Sequence, residues 1–201
     1  MTTDDVIAKC EPMSRQHRPG QSSHPALRMF VVALLCVSLG GCLGIPDNAT
    51  AVDDFELERY LGTWYEIARL DHRFERGLSR IRAEYSMRED GGVRVINTGY
   101  NEEDGEWESA EGKAFFVGEP GIGRLKVSFF GPFYGAYNII ELDQENYSYS
   151  MVISANTSYL WILARQPTLD SKILDRLVNK AQALGFATDE LIYPEHGDVT
   201  N

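Results

Sequence analysis

Eight short segments between residues 63 and 165 alternate apolar and polar side chains, and this pattern constrains the fold more than any other feature. A period of two is typical of β-strands with one buried face. The segments are separated by turn sequences such as Glu89-Asp90-Gly91-Gly92 and Glu119-Pro120-Gly121. We place the strands at residues 63–70, 79–88, 92–101, 107–117, 122–130, 134–142, 147–154 and 158–165. Such regular spacing predicts an antiparallel meander.

The two ends of this meander carry residues that indicate closure into a barrel. Gly62-Thr63-Trp64 opens the first strand, and Arg165 ends the last one. In a closed antiparallel barrel the first and last strands are neighbours, so the Arg165 guanidinium can stack on the Trp64 indole. We therefore predict an all-β protein, an eight-stranded antiparallel up-and-down β-barrel with one end plugged by Gly62, Trp64 and Arg165.

After Arg165 the apolar period changes to that of a helix. Pro167-Thr168 is predicted to begin this helix, and Gly185 to end it. The helix has a single apolar stripe, which predicts a C-terminal α-helix packed on the outside of the barrel. Residues 186–193 are predicted to add a short strand, and residues 195–201 to be disordered.

The N-terminal part has the features of a signal peptide. The apolar run from Phe30 to Leu39 is too short to span a bilayer, and it has basic residues before it and small residues after it. Residues 1–41 are therefore predicted to be removed. Acidic residues before Met13 are unusual for such a segment, so Met13 is a possible true start.

Leu39-Gly40-Gly41-Cys42 resembles the cleavage box of bacterial lipoproteins. That resemblance implies cleavage before Cys42 and acylation of Cys42. Since the next residue is Leu43 and not Asp, it also implies retention in the outer membrane. Several acyl chains on one residue suffice for stable anchoring. Residues 42–54 are then a polar tether that holds the domain, residues 55–194, off the bilayer. The alternative is a secreted soluble protein whose Cys42 is incidental.

Charge and residue content disfavour several partners and chemistries. The formal charge is −11, and it becomes −12 when residues 1–41, with four basic and three acidic residues, are removed. So acidic a body disfavours nucleic acid and anionic lipid head groups as partners. Only His72 and His196 remain as histidines of the mature chain, far apart in sequence. We predict no catalytic residue, no metal site and no cofactor.

Inward-facing positions decide what an eight-stranded barrel holds. Several of them are small, which leaves volume unfilled and predicts a pocket: Ala68, Ala83, Ala110, Gly112, Ala114 and Ala136. Apolar walls with few polar groups suit an elongated acyl chain with a polar end. The alternative is a filled barrel in which small residues only allow close strand packing. We predict ligand contacts from Ala68, Tyr85, Val127, Phe129, Asn138, Tyr159 and Trp161.

Four motifs together resemble the bacterial outer-membrane lipocalin family: Gly62-Thr-Trp-Tyr-Glu-Ile-Ala68, Asp71-His-Arg-Phe-Glu-Arg-Gly77, Lys126-Val-Ser-Phe-Phe-Gly-Pro-Phe133 and Leu160-Trp-Ile-Leu-Ala-Arg165. The resemblance covers residues 55–194. It implies an eight-stranded calyx with a C-terminal helix, and storage or transport of fatty acids or lysophospholipids for envelope maintenance. The chain departs from many lipocalins in having Asn138-Ile-Ile-Glu-Leu-Asp143 where they have Thr-Asp-Tyr.

Two further features leave alternatives open. The segment from Asp71 to Leu78 is too long for a tight turn and is a candidate lid over the open end. The aromatic run Phe129–Tyr134 would serve a structural or adhesive lipoprotein, or would form the face of a homodimer. A lipid-modifying enzyme is a further alternative, but no Ser-His-Asp or Cys-His spacing supports one.

Overall fold

The structure of the protein is a computed structural model that describes residues 43–197. The predicted signal peptide, residues 1–41, lies outside this part, as do Cys42 and residues 198–201. Within residues 43–197, no helix is long and apolar enough to cross a membrane.

All eight predicted strands are present, with bounds within two residues of the prediction. Each strand pairs antiparallel with the next, and β1 pairs with β8, which closes the barrel. The predicted fold class is therefore confirmed. The strands are β1 Gly62–Arg69, β2 Leu78–Met87, β3 Val93–Asn101, β4 Glu106–Phe116, β5 Arg124–Ser128, β6 Gly135–Leu142, β7 Tyr149–Ile153 and β8 Leu160–Ala164.

The up-and-down order fixes which loops lie at which end of the barrel. β1 starts at Gly62, beside Trp64, and runs toward Arg69. Because successive strands alternate in direction, the loops after β1, β3, β5 and β7 gather at the end away from Trp64. We call this end the mouth and the other end the base.

Two helices flank the barrel. The one-turn helix α1, Leu57–Tyr60, buries Leu57 and Tyr60 at the base. The second helix, α2, spans Ser171–Ala183 and lies outside the barrel, where Leu177 and Ala181 are fully buried. It begins after the predicted Pro167-Thr168, because the Asp170 carboxylate accepts hydrogen bonds from the first backbone amides of α2 and caps it.

The predicted tether does not extend away from the barrel over the residues that are described. The Val52 amide donates to the Ile139 carbonyl at 2.9 Å, and the Val52 carbonyl accepts from the Gly123 amide at 2.8 Å. A Cβ at Gly123 would lie 2.8 Å from the Val52 side chain, so the close approach requires glycine there. Further toward the N-terminus, the Gly44 carbonyl accepts from Asn138 Nδ2 at 3.0 Å. Residues 44–54 therefore lie along the barrel wall, and that residues 42–54 tether the domain to the bilayer stays a prediction.

The C-terminal segment also packs on the barrel. Instead of a short strand over residues 186–193, there is one bridge between Arg69 and Ile192. The Arg80 amide donates to the Glu195 carbonyl at 2.9 Å, and His196 Nε2 lies 2.7 Å from the Glu66 carbonyl oxygen. The predicted disorder is therefore wrong for residues 195–197, where backbone contacts hold the chain.

Candidate functional site

The barrel encloses a cavity of about 90 Å³. Its walls come from every strand except β7, together with α1 and two loops at the mouth. Most of the side chains that line it are apolar, such as Ile81, Val95, Leu125 and Leu163. The volume is below the roughly 300–1,000 Å³ of pockets that hold drug-sized ligands, which favours a slender ligand over a bulky ring system.

The base of the barrel is closed by the predicted contact between Trp64 and Arg165. The Arg165 guanidinium carbon lies 4.0 Å from the centroid of the Trp64 ring, and Trp64 is fully buried. Arg165 also donates to the carbonyls of Thr63 at 2.8 Å and Arg59 at 2.7 Å. Gly62 has φ of +89°, a value that side-chain-bearing residues rarely adopt. These contacts place all three predicted plug residues at the base.

Three tyrosine hydroxyls meet in the cavity wall. Tyr137 OH lies 2.9 Å from Tyr60 OH and 2.9 Å from Tyr85 OH. Tyr60 OH also lies 3.0 Å from Ser150 Oγ. Burial raises the pKa of Tyr60 to about 12 and also raises the pKa of Tyr85 and Tyr137, so all three hydroxyls are neutral at neutral pH. Their polar groups satisfy one another and leave an uncharged wall.

Charged side chains form a buried cluster between the cavity and the mouth. Arg69 Nη1 donates to Glu66 Oε1 at 2.8 Å, and Arg69 Nη2 donates to the Glu75 carbonyl at 3.0 Å. His72 Nε2 lies 3.0 Å from Glu75 Oε2, and Trp161 Nε1 donates to the same oxygen at 3.3 Å. Glu66 and Arg69 are each only 2% exposed. The charges of this cluster are therefore shielded from solvent.

The two carboxyl groups of this cluster differ in protonation. Burial, followed by the nearby charge of Glu75, raises the pKa of Glu66 well above its usual range, although Arg69 opposes this shift. Burial also acts to raise the pKa of Glu75, but the contact with His72 and the hydrogen bonds from Glu66 and Trp161 outweigh it and lower the pKa. Of the two carboxyl groups, Glu66 therefore keeps its proton to higher pH, and Glu75 carries a negative charge beside His72 and Trp161.

This difference predicts how stability depends on pH. A pKa that is raised in the folded state contributes stability that is complete below the unfolded value of 4.5 and is lost as the pH rises through the folded value. The lowered pKa of Glu75 acts below 4.5 instead. We expect the wild-type free energy of unfolding to fall as the pH rises from 4.5 through the raised pKa of Glu66, and the fall to be smaller in Glu66→Gln.

Urea titrations across this range measure the effect, with Glu84→Gln as the control because Glu84 is exposed on β2. Parallel pH profiles for wild type and Glu66→Gln would contradict the assignment of the proton to Glu66.

The structure brings four of the seven predicted ligand contacts to the cavity and leaves three outside it. Tyr85, Val127, Phe129 and Trp161 line the cavity. Ala68, Asn138 and Tyr159 do not line it, so the prediction that these three side chains face the cavity is wrong. That the four lining residues contact a ligand stays a prediction.

Each of the three misplaced residues has a physical reason. A β-bulge between Glu66 and Ala68 shifts the register of β1, so Ala68 joins the apolar cluster shared with α2. On β6 the side chains of Tyr137 and Ile139 face inward, and Asn138 donates outward to the carbonyls of Gly44 and Ser154. Tyr159 lies near the mouth, where its ring stacks on Trp161 with centroids 5.8 Å apart.

Only two of the six small residues leave space in the interior. Ala83 and Ala114 line the cavity. At Gly112 an added Cβ would lie 2.9 Å from the Phe129 ring, so this glycine admits the ring instead of leaving a void. Ala110 is exposed on β4. The small residues thus serve both close packing and a narrow cavity.

The segment proposed as a lid lies at the mouth and reaches across it. Phe74, on the loop after β1, stacks on Phe130, on the loop after β5, with centroids 6.3 Å apart. These loops belong to hairpins on opposite sides of the barrel, so the contact spans the opening. The segment is partly fixed from within, because His72 and Glu75 are buried. The sequence analysis missed Glu75 and Tyr137 as cavity residues.

Comparison with known proteins gives consistent matches. A family model described as a lipocalin-like domain matches residues 55–196. The chain is 56% identical over 167 residues to the outer membrane lipoprotein Blc of Vibrio cholerae, which covers 83% of this chain and 98% of that protein. It is 51% identical over 148 residues to the outer membrane lipoprotein Blc of Escherichia coli, covering 74% of this chain and 83% of that protein.

Solved structures share the fold at lower identity. Insecticyanin from the tobacco hornworm matches with a TM-score of 0.62 at 20% identity, covering 77% of this chain and 88% of that chain. Apocrustacyanin C2 matches with a TM-score of 0.57 at 20% identity, covering 77% and 94%. At this level of identity the likeness establishes the barrel architecture alone.

Proposed function

This chain belongs to the lipocalin family, in its bacterial outer-membrane group, and on that premise we propose that it carries a single-chain lipid, a fatty acid or a lysophospholipid, in its barrel. As a lipocalin of this group it is a lipid-anchored protein of the outer membrane that takes lipophilic ligands. Cys42 is the residue that we propose carries the anchor, and envelope maintenance is the role that we propose for the carrier.

One observation carries the proposal: a narrow apolar cavity is closed at the base and becomes polar only toward the mouth. Trp64 and Arg165 close the base, and within residues 43–197 the charged side chains that line the cavity are Glu66 and Glu75, toward the mouth. Amphiphiles with one slender apolar part and one polar end match such a gradient. The acyl chain would lie among residues such as Val95 and Leu125, with the polar end toward the mouth.

Two acceptor groups stand at the polar end of the cavity. Glu75 is the charged carboxylate, and Asn97 Oδ1 is buried without a hydrogen-bond partner in the described structure. Both residues line the cavity. A ligand with hydroxyl or ammonium donors would pair with these atoms, whereas a bare carboxylate would be repelled by Glu75. The cluster therefore favours a lysophospholipid over a fatty acid anion.

The test is to fill the cavity from one wall. Ala114 lines the cavity on β4, and phenylalanine at this position would occupy the space that the acyl chain needs. We expect Ala114→Phe to weaken binding of a fluorescent fatty acid by more than about tenfold, since a slender chain would lose most of its apolar contacts. Displacement titrations with unlabelled fatty acid and lysophospholipid measure both affinities.

The matched control is Lys113→Phe, which adds the same ring at the neighbouring position of β4, outside the lining of the cavity. It should bind as the wild type does. Equal affinities for Ala114→Phe and wild type, or no displacement by any acyl lipid, would contradict the proposed carrier function.

Experiments with the same pure protein and lipids distinguish the remaining alternatives. We propose a carrier and not an enzyme, so a lipid incubated with pure protein should be recovered unchanged. A purely structural or adhesive lipoprotein would show no displacement at all. The homodimer predicted from the aromatic run after Ser128 stays a prediction, and sedimentation of the wild type and Phe133→Asp tests it.

A further inference from the structure

Three phenylalanines are exposed together at the mouth, and we call Phe74, Phe130 and Phe133 the mouth patch. Their exposed fractions are 51%, 66% and 78%. Phe74 and Phe130 stack across the opening, and Phe133 lies in the same turn as Phe130, whose carbonyl accepts from the Phe133 amide at 3.1 Å. Clustered exposed aromatic rings of this size indicate an interaction surface. The surface lies where a ligand must pass to reach the cavity.

The described part of the N-terminal segment begins on the wall of the same hairpin. The Leu43 carbonyl accepts from Arg124 Nη2 at 3.3 Å, and the Gly44 carbonyl accepts from Asn138 Nδ2 at 3.0 Å. Arg124 is in β5 and Asn138 is in β6, the two strands joined by the loop that carries Phe130 and Phe133. Asn138 is three residues from Gly135, the start of β6, which is about 10 Å along the strand. Leu43, the residue after the proposed anchor site, therefore lies on the wall of the hairpin whose loop carries Phe130 and Phe133.

Charge at the mouth is distributed unevenly. The loop between β3 and β4 carries exposed acidic side chains at Glu102, Glu103 and Asp104. The mouth patch instead has a cationic neighbour, since the Arg73 guanidinium carbon lies 4.9 Å from the Phe74 centroid. An anionic surface would repel the acidic loop, but a zwitterionic one would not. The side of the mouth that carries the patch is thus the side suited to approach lipid head groups.

We propose that the mouth patch docks on the bilayer that holds the lipid anchor and inserts Phe130 and Phe133 among zwitterionic head groups. Aromatic rings are favoured at that depth of a membrane. Insertion would separate Phe130 from Phe74 and open the mouth toward the acyl chains. A single-chain lipid would then pass between the membrane and the cavity without crossing water. The inference rests on the carrier function proposed above.

The first experiment reports the depth of the patch. Lipidated full-length protein is placed in vesicles of phosphatidylethanolamine and phosphatidylcholine with brominated acyl chains, which quench indoles that enter the apolar layer. We expect the indole introduced by Phe133→Trp to be quenched at least about twofold more than that of Met87→Trp, after subtraction of the wild-type signal. Met87 is the matched control, because it is 49% exposed at the base. Equal quenching overturns the proposal.

The second experiment separates docking from ligand binding. We expect Phe133→Ser to slow the transfer of a fluorescent fatty acid from vesicles to protein by about fivefold or more, while its affinity in solution stays within about twofold of wild type. Ala114→Phe should show the reverse: weaker affinity with unchanged quenching of the Phe133→Trp indole. A failure of the carrier function therefore appears with Ala114→Phe, and a failure of docking appears with Phe133→Ser. If Phe133→Ser converts a dimer into monomers and leaves vesicle transfer unchanged, the patch joins two copies and the proposal is overturned.

Discussion

Replacing Trp64 by alanine is expected to lower the free energy of unfolding by about 3–5 kcal/mol, the range typical of a large aromatic removed from a packed core. Trp64 is fully buried at the base, its Nε1 donates to the Tyr60 carbonyl at 2.8 Å, and its ring carries the Arg165 guanidinium. Denaturant titration measures the change. Trp107→Ala is the matched control, because Trp107 is 51% exposed, and its cost should be well below that of Trp64→Ala.

The contact itself is measured by adding Arg165→Ala and the double variant. Arg165→Ala removes the cation over the ring and the hydrogen bonds to the Thr63 and Arg59 carbonyls. The sum of the two single losses in the free energy of unfolding should exceed the loss in the double variant by about 0.5–3 kcal/mol, the coupling expected for residues in contact. If the single costs add to the cost of the double variant, the stacking of Arg165 on Trp64 contributes no energy to the plug.

A second large effect is expected at Arg69. Arg69→Met removes the cation that pairs with Glu66 at 2.8 Å and binds the Glu75 carbonyl, and it leaves the buried carboxyl groups uncompensated. Breaking one side of a buried ion pair costs about 3–5 kcal/mol, and we expect that loss at neutral pH. The loss should shrink as the pH falls, because Arg69 lowers the pKa of Glu66 and this contribution disappears once Glu66 is protonated in both proteins.

Two variants make the Arg69 experiment specific. Arg76→Met breaks the Arg76–Asp71 pair in the same loop, but both side chains are largely exposed, so no measurable change in stability is expected. Glu66→Gln combined with Arg69→Met should recover part of the loss, because the uncompensated carboxyl group is gone. Equal stability losses for Arg69→Met and Arg76→Met would mean that the buried pair has no special role.

The cluster at Arg69 and the plug at Trp64 differ in how much of each could be predicted from the sequence. Trp64 and Arg165 were predictable as partners, since closure makes the first and last strands neighbours and both residues lie on those strands. Glu75 comes from a loop, and its position against His72 and Trp161 depends on how that loop folds back into the mouth. No local periodicity of the sequence predicts that a loop folds back in this way.

The register of β6 shows a further limit. Alternation identifies an inward face only when the other face is polar, but both faces of β6 are buried. Ile139 faces the interior, whereas Ile140 packs in the cluster shared with α2. With apolar residues on both sides, two registers fit the sequence equally well, and the predicted one placed Asn138 inside. In the structure Asn138 donates to the Gly44 carbonyl of the docked N-terminal segment, and its side chain lies outside the barrel.

The eight strands, their order, the closure of the barrel and the helix outside it could be predicted from the chain, because period, turn residues and strand order are read directly from it. Which side chains face the cavity, how the buried charges pair, and that residues 44–54 lie against the barrel wall could be seen only in the folded structure. These features depend on contacts between segments far apart in sequence and on burial of both faces of a strand. A pattern of apolar and polar residues does not record either of them.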